Sequence, residues 1–457
     1  DNLSTRHHLA LLYHSQGNYA LAETLYKEVL AIRTARLGGY HSDTLRTQLG
    51  LADLYDSQGK TDLAEMLYKE VLAINRAKRG ADHPATLVSQ YELARHYWYR
   101  NNLEQSVPLL EETLKSSRKA KLDPDHPKML ATQTTLGLSY CDAGRFADAI
   151  PLLEKVHRKG RQDSELAWVG SALLKAYVRT GKTTEAVGLA TEQVRAAREQ
   201  FPAESPELAA VLAEIGKALL DAKPYADAEP LYKEVLAIRT AKLGADHADT
   251  ILSGDSLALL YWSMKKLDQS IPLLEENLEL RKAELPPDDP EMLGRQVTLG
   301  ANYCDAGRFA DGLALIEEVR QKGRQDPHPV WVRRILLAAY VQAGKTTQAT
   351  ALVAERVQDA RGEFPADSPE LAAALAENGK MLLDAKAYAD AEPLLLQGYA
   401  GLKERAATIS SEVQGCPTQA LERLVQLYDA WGKPDEAAKW RKELEAHQSP
   451  AEQSASP

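Results

Sequence analysis

Residues 50–84 read GLADLYDSQGKTDLAEMLYKEVLAINRAKRGADHP, and this stretch decides the fold. It returns at residues 10–38 as ALLYHSQGNYALAETLYKEVLAIRTARLG and at 219–247 as LLDAKPYADAEPLYKEVLAIRTAKLGADH. Leu51, Ala52, Leu54 and Tyr55 make one apolar stripe at helical spacing, and Leu63, Ala64, Leu67, Tyr68, Val71 and Leu72 make a second. Two helices joined by a short Gly-Lys or Gly-Asn turn, followed by a polar loop and the same again, form a solenoid repeat.

The turn between the helices sets the register. It falls at Gly17, Gly59, Asn101, Gly144, Gly181, Lys223, Lys265, Gly307, Gly344, Lys386 and Gly432. The spacings are 42, 42, 43, 37, 42, 42, 42, 37, 42 and 46 residues. Glycine suits a helix that ends in a left-handed residue. A somewhat different turn is expected where Asn or Lys stands instead. Small residues recur where helices must approach closely, at Ala52, Ala94, Gly137, Gly216, Ala258 and Gly300. The loops carry helix-start chemistry: Asp before His83-Pro84 and before His126-Pro127 is expected to cap, and Ser205-Pro206 and Ser368-Pro369 do the same work.

A longer period lies on top of the first. TLGLSYCDAGRFADAIPLLEKVHRKGRQD from Thr135 matches TLGANYCDAGRFADGLALIEEVRQKGRQD from Thr298 at an offset of 163, as Phe201–Pro230 matches Phe364–Pro393. The expected organisation is a first unit at 1–44, a four-unit block at 45–207, its duplicate at 208–370, final units with a C-terminal cap at 371–447, and a disordered Ser/Pro/Ala-rich tail at 448–457. The last helix pair, from about Thr418 to His447, carries the charged outer face that a solvent-facing cap needs.

Composition narrows the function classes. Hydrophobic content of 44%, rich in Ala and Leu and with 4 Phe, is a helical bias. No apolar run is long enough to span a bilayer. A net charge of −10 disfavours nucleic-acid backbones and anionic membranes as partners. The 3 cysteines, Cys141, Cys304 and Cys416, make no disulfide framework and suit a reducing cytoplasm. The opening DNLSTRHHLA has neither an initiator Met nor a signal region, which reads as a piece of a longer chain. A monomer or weak dimer is expected.

Leu51, Ala52, Tyr55, Gly59, Ala64 and Tyr68, recurring over residues 3–446, resemble the tetratricopeptide repeat. The 42-residue length, with YKEVLAIR and LGADHPAT, is similar to the kinesin-light-chain subtype. The resemblance implies an all-α, right-handed superhelical solenoid of about eleven helix-turn-helix units. Its first helices would line a concave groove that takes a partner protein or extended peptide. Mapped on each unit's own Tyr, the groove candidates are Tyr91, Arg95, Trp98 and Tyr99 in the third unit and Trp168, Lys175 and Arg179 in the fifth. The seventh unit adds Asp255 and Trp262, and the ninth Trp331 and Arg334. Aromatics with Arg are what a peptide-binding surface uses. The same Trp residues also suit packing between neighbouring units, and Trp98 and Trp262, like Trp168 and Trp331, occupy equivalent places in the two blocks. The Asn ladder of kinesin light chains is absent: the corresponding pairs are His7-His8, Leu49-Gly50, Tyr91-Glu92 and Asp255-Ser256.

ALERLVQLYDAWGKPDEAAKWRKEL from Ala420, preceded by LLLQGYAGLKER, resembles the repeat tail of planctomycete-type bacterial serine/threonine kinases. The residues contain no Gly-rich loop, HRD or DFG, so no kinase activity is expected of this chain. Gly181-Lys182-Thr183-Thr184 and Gly344-Lys345-Thr346-Thr347 imitate the end of a phosphate loop, but Ala176 and Ala339 stand where its first Gly is required. His7 and His8 point to different faces of a helix, which does not make a metal site. His83, His126 and His247 fit hydrogen bonding to the loop backbone. No catalytic constellation, metal site or cofactor is indicated. The leading expectation is a non-enzymatic interaction scaffold. The alternative is a sensor for a small molecule or signalling peptide, which would show a compact apolar pocket.

Overall fold

The computed structural model describes residues 2–123, 125–160, 169–282, 284–322, 330–405 and 416–448. Among them are 22 helices and no strand. They fall into two compact units, residues 1–231 and 232–457, with the division inside α12 (Tyr225–Leu243).

In the first unit the pairs are α1 (Asn2–Ser15) with α2 (Tyr19–Leu37), α3 (Ser42–Ser57) with α4 (Thr61–Arg79), α5 (Pro84–Tyr99) with α6 (Leu103–Lys119), α7 (Pro127–Asp142) with α8 (Phe146–Gly160), and α9 (Val169–Arg179) with α10 (Thr183–Gln200), followed by α11 (Pro206–Ala222). The second unit holds α13 (Ala248–Ser263) with α14 (Leu267–Lys282), α15 (Pro290–Asp305) with α16 (Phe309–Lys322), α17 (Val330–Gln342) with α18 (Thr346–Glu363), α19 (Pro369–Asp384) with α20 (Tyr388–Glu404), and α21 (Cys416–Ala430) with α22 (Pro434–Gln448). Within each unit every helix packs on the next, and first helices also touch first helices, as in α1 on α3, α3 on α5, α5 on α7, and α15 on α17. Second helices touch one another at most marginally among the described residues, so the first helices form one layer and the second helices another.

All eleven turns share one conformation. The turn residue has positive φ at Gly17, Gly59, Gly144, Gly181, Gly307, Gly344 and Gly432, and equally at Asn101 (56°), Lys223 (73°), Lys265 (60°) and Lys386 (59°). The expectation of a different turn at Asn and Lys is therefore corrected. At ten of the eleven turns the reason is hydrogen bonding: Lys60 N–H donates to Tyr55 O at 2.8 Å, Asn102 N–H to Tyr97 O at 2.9 Å and Ala387 N–H to Leu382 O at 2.9 Å, closing the same six-residue loop whichever residue stands before it. Lys223 precedes Pro224, which has no N–H to give, and keeps the turn with its own N–H on Leu220 O at 3.2 Å. These bonds outweigh about 1–2 kcal/mol of left-handed strain at a residue with a Cβ.

The loop caps also need correction. His83, His126 and His247, not the preceding Asp, are the N-caps, with Nδ1 accepting the backbone N–H of Ala85 (3.1 Å), Lys128 (3.2 Å) and Asp249 (3.1 Å). At His83 and His126, Pro at the first helical position holds the residue before it in the extended region, so that residue becomes the cap. Asp82 and Asp125 instead reach lysines, Lys119 for the first and Lys155 and Lys159 for the second. Ser205 and Ser368 cap as expected, accepting from Leu208 N–H and Leu371 N–H.

Apolar packing is joined by a repeated polar clasp. The first-helix Tyr donates to a Glu on the preceding second helix: Tyr97 to Glu65 (3.0 Å), Tyr140 to Glu111 (2.6 Å), Tyr177 to Glu154 (2.9 Å), Tyr303 to Glu275 (2.5 Å), Tyr340 to Glu317 (2.9 Å) and Tyr428 to Glu392 (2.8 Å). Burial, then the Glu itself, pushes the hydroxyls of Tyr140, Tyr303 and Tyr340 up to about 12, so they stay donors. Gly137 allows α7 to close on α8: a Cβ there would lie 2.7 Å from Leu153 Cδ2. On α22, Lys439, Arg441, Lys442 and Glu445 face solvent, while Ala437 is buried and Trp440 and Leu444 pack on the core below.

Candidate functional site

The first-helix layer of the first unit carries an open depression of about 740 Å³. Leu11, His14 and Ser15 of α1, Asp53, Asp56 and Ser57 of α3, and Arg95, Tyr99 and Arg100 at the end of α5 line it, with Tyr19 at one edge. They converge because first helices stack side by side and the end of each helix offers its last two turns to the same face.

Charges here are arranged in pairs. Arg95 Nη2 lies 2.8 Å from Asp53 Oδ1 and 2.8 Å from Glu92 Oε2. Asp53 also accepts the Tyr68 hydroxyl at 2.5 Å. Asp56 takes His96 Nδ1 at 2.9 Å and Arg100 Nη2 at 2.9 Å, and His14 Nε2 bonds Ser57 Oγ at 2.8 Å. Burial raises the Glu92 carboxyl above the ordinary carboxylate range, with Arg95 working against it. The floor is thus held rigid while Tyr99, 67% exposed, stands over it unburied.

The other sequence-derived candidates are spread along the same helix layers. Tyr91 is half-buried one turn before Arg95 and faces the α5–α7 cleft, with the Arg95 guanidinium 5.9 Å from its ring centre. Trp98 reaches across to the next unit, its Nε1–H donating to Asp142 Oδ2 at 2.8 Å, and its ring lies 5.1 Å from that of Tyr99. Lys175 and Arg179 are exposed on α9, with Arg179 6.0 Å from the Phe146 ring centre. Trp168 lies outside the described residues.

In the second unit, Trp262 Nε1–H donates to Asp305 Oδ2 at 2.8 Å. Burial pushes the Asp305 carboxyl upward, but Trp262, Lys265 and Gln342 together hold it below its ordinary range. Asp255 Oδ2 lies 2.5 Å from Arg295 Nη2, and its Oδ1 accepts from Asn277 at 2.8 Å. Trp331, 39% exposed, and Arg334 stand on α17 facing solvent.

Sequence reasoning missed Asp53, Asp56, His96 and Arg100, which carry the pairing, and Asp142 and Asp305, which anchor the indoles. The last two had a signal: both sit in the repeated CDAGRFAD stretch, one unit after equivalent tryptophans. Among the described residues no group of three or more His, Cys, Asp or Glu could hold a metal ion. Cys141 and Cys304 are buried thiols that burial pushes up to about 11. His7 is buried beside Tyr26 while His8 is exposed, and burial lowers the His7 imidazole to about 4. No described helix is long and apolar enough to cross a membrane.

Sequence models of the tetratricopeptide repeat match residues 1–77, 59–119 and 207–283, and a second model of the same repeat matches 129–162. Together these cover just over half of the chain. Among solved structures, TPR-like repeats of nearly identical sequence assigned to a kinesin light chain of Podosopora anserina share 26% identity, cover 53% of this chain and 97% of theirs, and superpose with a TM-score of 0.33. BtubC (BKLC) from P. vanneervenii shares 17%, covering 62% of this chain and 94% of its own at a TM-score of 0.30. The apo form of RapI shares 12%, covering 88% and 98% at 0.48. No curated protein matches the chain. The repeat models, the eleven like turns and the alternating helix layers agree: the chain belongs to the tetratricopeptide repeat family.

Proposed function

We propose that this chain is a protein-interaction scaffold that holds a partner protein or an extended peptide against the first-helix face of α1, α3 and α5. Protein–protein interaction is the general role of tetratricopeptide repeats. The observation that carries the assignment to this face is the depression itself. Its acids and bases are already paired on a rigid floor, and Leu11 and Tyr99, 42% and 67% exposed, stand beside them as uncovered apolar groups. Pre-paired charges cost a ligand little reorganisation, and exposed aromatics over a fixed polar floor anchor peptides. Arg179 on α9 is a further candidate in the first unit, and Trp331 and Arg334 on α17 are candidates in the second unit by itself.

The resemblance of residues 394–444 to bacterial kinase tails supports a narrower form, in which the scaffold is the regulatory part of a serine/threonine kinase in a bacterial cytoplasm. The test is selection of random peptides on the immobilised chain, run beside a Tyr99→Ala with Leu11→Ala variant. Both side chains are exposed, so the variant keeps the fold. Peptides enriched by the wild type and lost with the variant support the reading; equal enrichment by both overturns it.

A further inference from the structure

Between α5 and α7 lies a second cavity, of about 290 Å³, smaller and more enclosed than the depression. Leu87, Val88 and Tyr91 of α5, Leu122 of the loop and Met129 of α7 give it an apolar body, and Thr132 closes one side. His126, Lys128 and Asp123 stand at its mouth. Asp123 is engaged with the Asp125 N–H at 2.9 Å. Lys128 forms no ion pair among the described residues, and its charge acts on the partly buried Glu92.

The duplicated block supplies an internal comparison. Tyr91, Lys128 and Thr132 correspond to Asp255, Glu291 and Arg295. In the second copy Arg295 bridges Asp255 at 2.5 Å and Glu291 at 2.7 Å, and Arg281 adds a contact to Glu291 at 3.2 Å. One copy therefore fills this place with a clamped ion network. The other lines it with apolar groups and leaves a lysine at the entrance.

We infer that the α5–α7 cleft of the first unit binds a small aromatic acid, its ring between Leu87, Tyr91 and Met129 and its carboxylate at Lys128. At interior packing density the cavity takes an occupant of roughly 210 Å³, the bulk of a fused aromatic ring with a short arm. A mostly apolar, enclosed body with few polar groups at one end is the usual form of a small-molecule site. The cleft is distinct from the open depression, and its ligand is independent of the peptide assigned there.

The probe is indole-3-acetate, titrated against the full chain by calorimetry, with uncharged 3-methylindole as its counterpart. The wild type is expected to take up one molecule per chain. Tyr91→Asp with Thr132→Arg transplants the ion pair of the second copy, a combination that already folds in this chain, and is expected to weaken binding by about tenfold or more. The reverse exchange, Asp255→Tyr with Arg295→Thr and Glu291→Lys, is expected to create a second site. Lys128→Met is expected to weaken indole-3-acetate and leave 3-methylindole unchanged. The proposal is overturned if the wild type binds neither probe, if the transplant leaves affinity unchanged, or if the two probes respond alike to Lys128→Met.

Discussion

Arg95→Leu tests whether the groove floor is an ion network or a set of neighbouring charges. Leu stands at the equivalent place in the second copy, Leu259, where Glu92 is replaced by Ser256, so the substitution suits the helix. Removing one partner of a fully buried pair costs about 3–5 kcal/mol. Here the side chains of Arg95 and Asp53 are 30% and 34% exposed, so Asp53 can rehydrate. Glu92, at 13%, cannot, and it carries most of the cost. The expected loss at neutral pH is about 2–3 kcal/mol.

The same loss has a pH signature. Burial already raises the Glu92 carboxyl while Arg95 holds it back, and without Arg95 it rises further. A carboxyl whose folded pKa exceeds its unfolded value stabilises the fold below the unfolded value, and that contribution disappears as pH rises through the folded one. Arg95→Leu should therefore come closest to wild type near about pH 4.5 and be worst at alkaline pH. Long repeat arrays do not unfold in one step, so the readout is hydrogen exchange of the α5 amides, expected to accelerate roughly 30- to 150-fold at neutral pH. Arg95→Leu with Glu92→Ser should recover most of this. A pH-independent effect, or a double variant no better than the single one, would refute the reasoning.

Three further outcomes follow from the packing. Lys386 is exposed and left-handed, so Lys386→Gly should relieve about 1–2 kcal/mol of strain against about 0.5–1 kcal/mol of added chain entropy, and slow exchange at the end of α19 by about 2- to 5-fold; unchanged or faster exchange would contradict this. Gly137→Ala should cost about 1–3 kcal/mol by forcing Leu153 aside, read as faster hydrogen exchange of the α7 amides, and exchange equal to wild type would contradict the close approach. Trp98→Phe and Asp142→Ala should each loosen α5 against α7 and should not add, the double variant exchanging no faster than either alone.

The helix pairs were legible because every unit repeats its apolar stripes and turn position, and the duplicated block showed that Trp98 and Trp262 play matching parts. The turn at Lys223, Lys265 and Lys386 was not legible from residue type: Lys has no preference for positive φ, and at Lys265 and Lys386 the six-residue hydrogen-bonded loop imposes it. His83 was expected to bond the loop backbone, but not to displace Asp82 as the cap, which local propensity favours; the extended backbone at His83, shared by His247 before Ala248, sets the imidazole against the helix start. The candidate site was legible in part. Arg95 and Tyr99 could be placed on the groove side by counting from Tyr97. Their partners Asp53 and Asp56, a whole unit away in sequence, needed the stacking of α3 on α5. The contrast between Tyr91 with Thr132 and Asp255 with Arg295 was written in the two copies. That one encloses a cavity and the other an ion pair is a fact of geometry.

The central claim is that partners bind on the first-helix layer. The most direct measurement takes a peptide selected on the wild-type chain, fits it with a photoreactive benzophenone, and maps the cross-linked residues by mass spectrometry. The account predicts cross-links on α1, α3 and α5, concentrated at Leu11, Ser15 and Tyr99. Cross-links concentrated on the exposed faces of α2, α4 and α6 would contradict it.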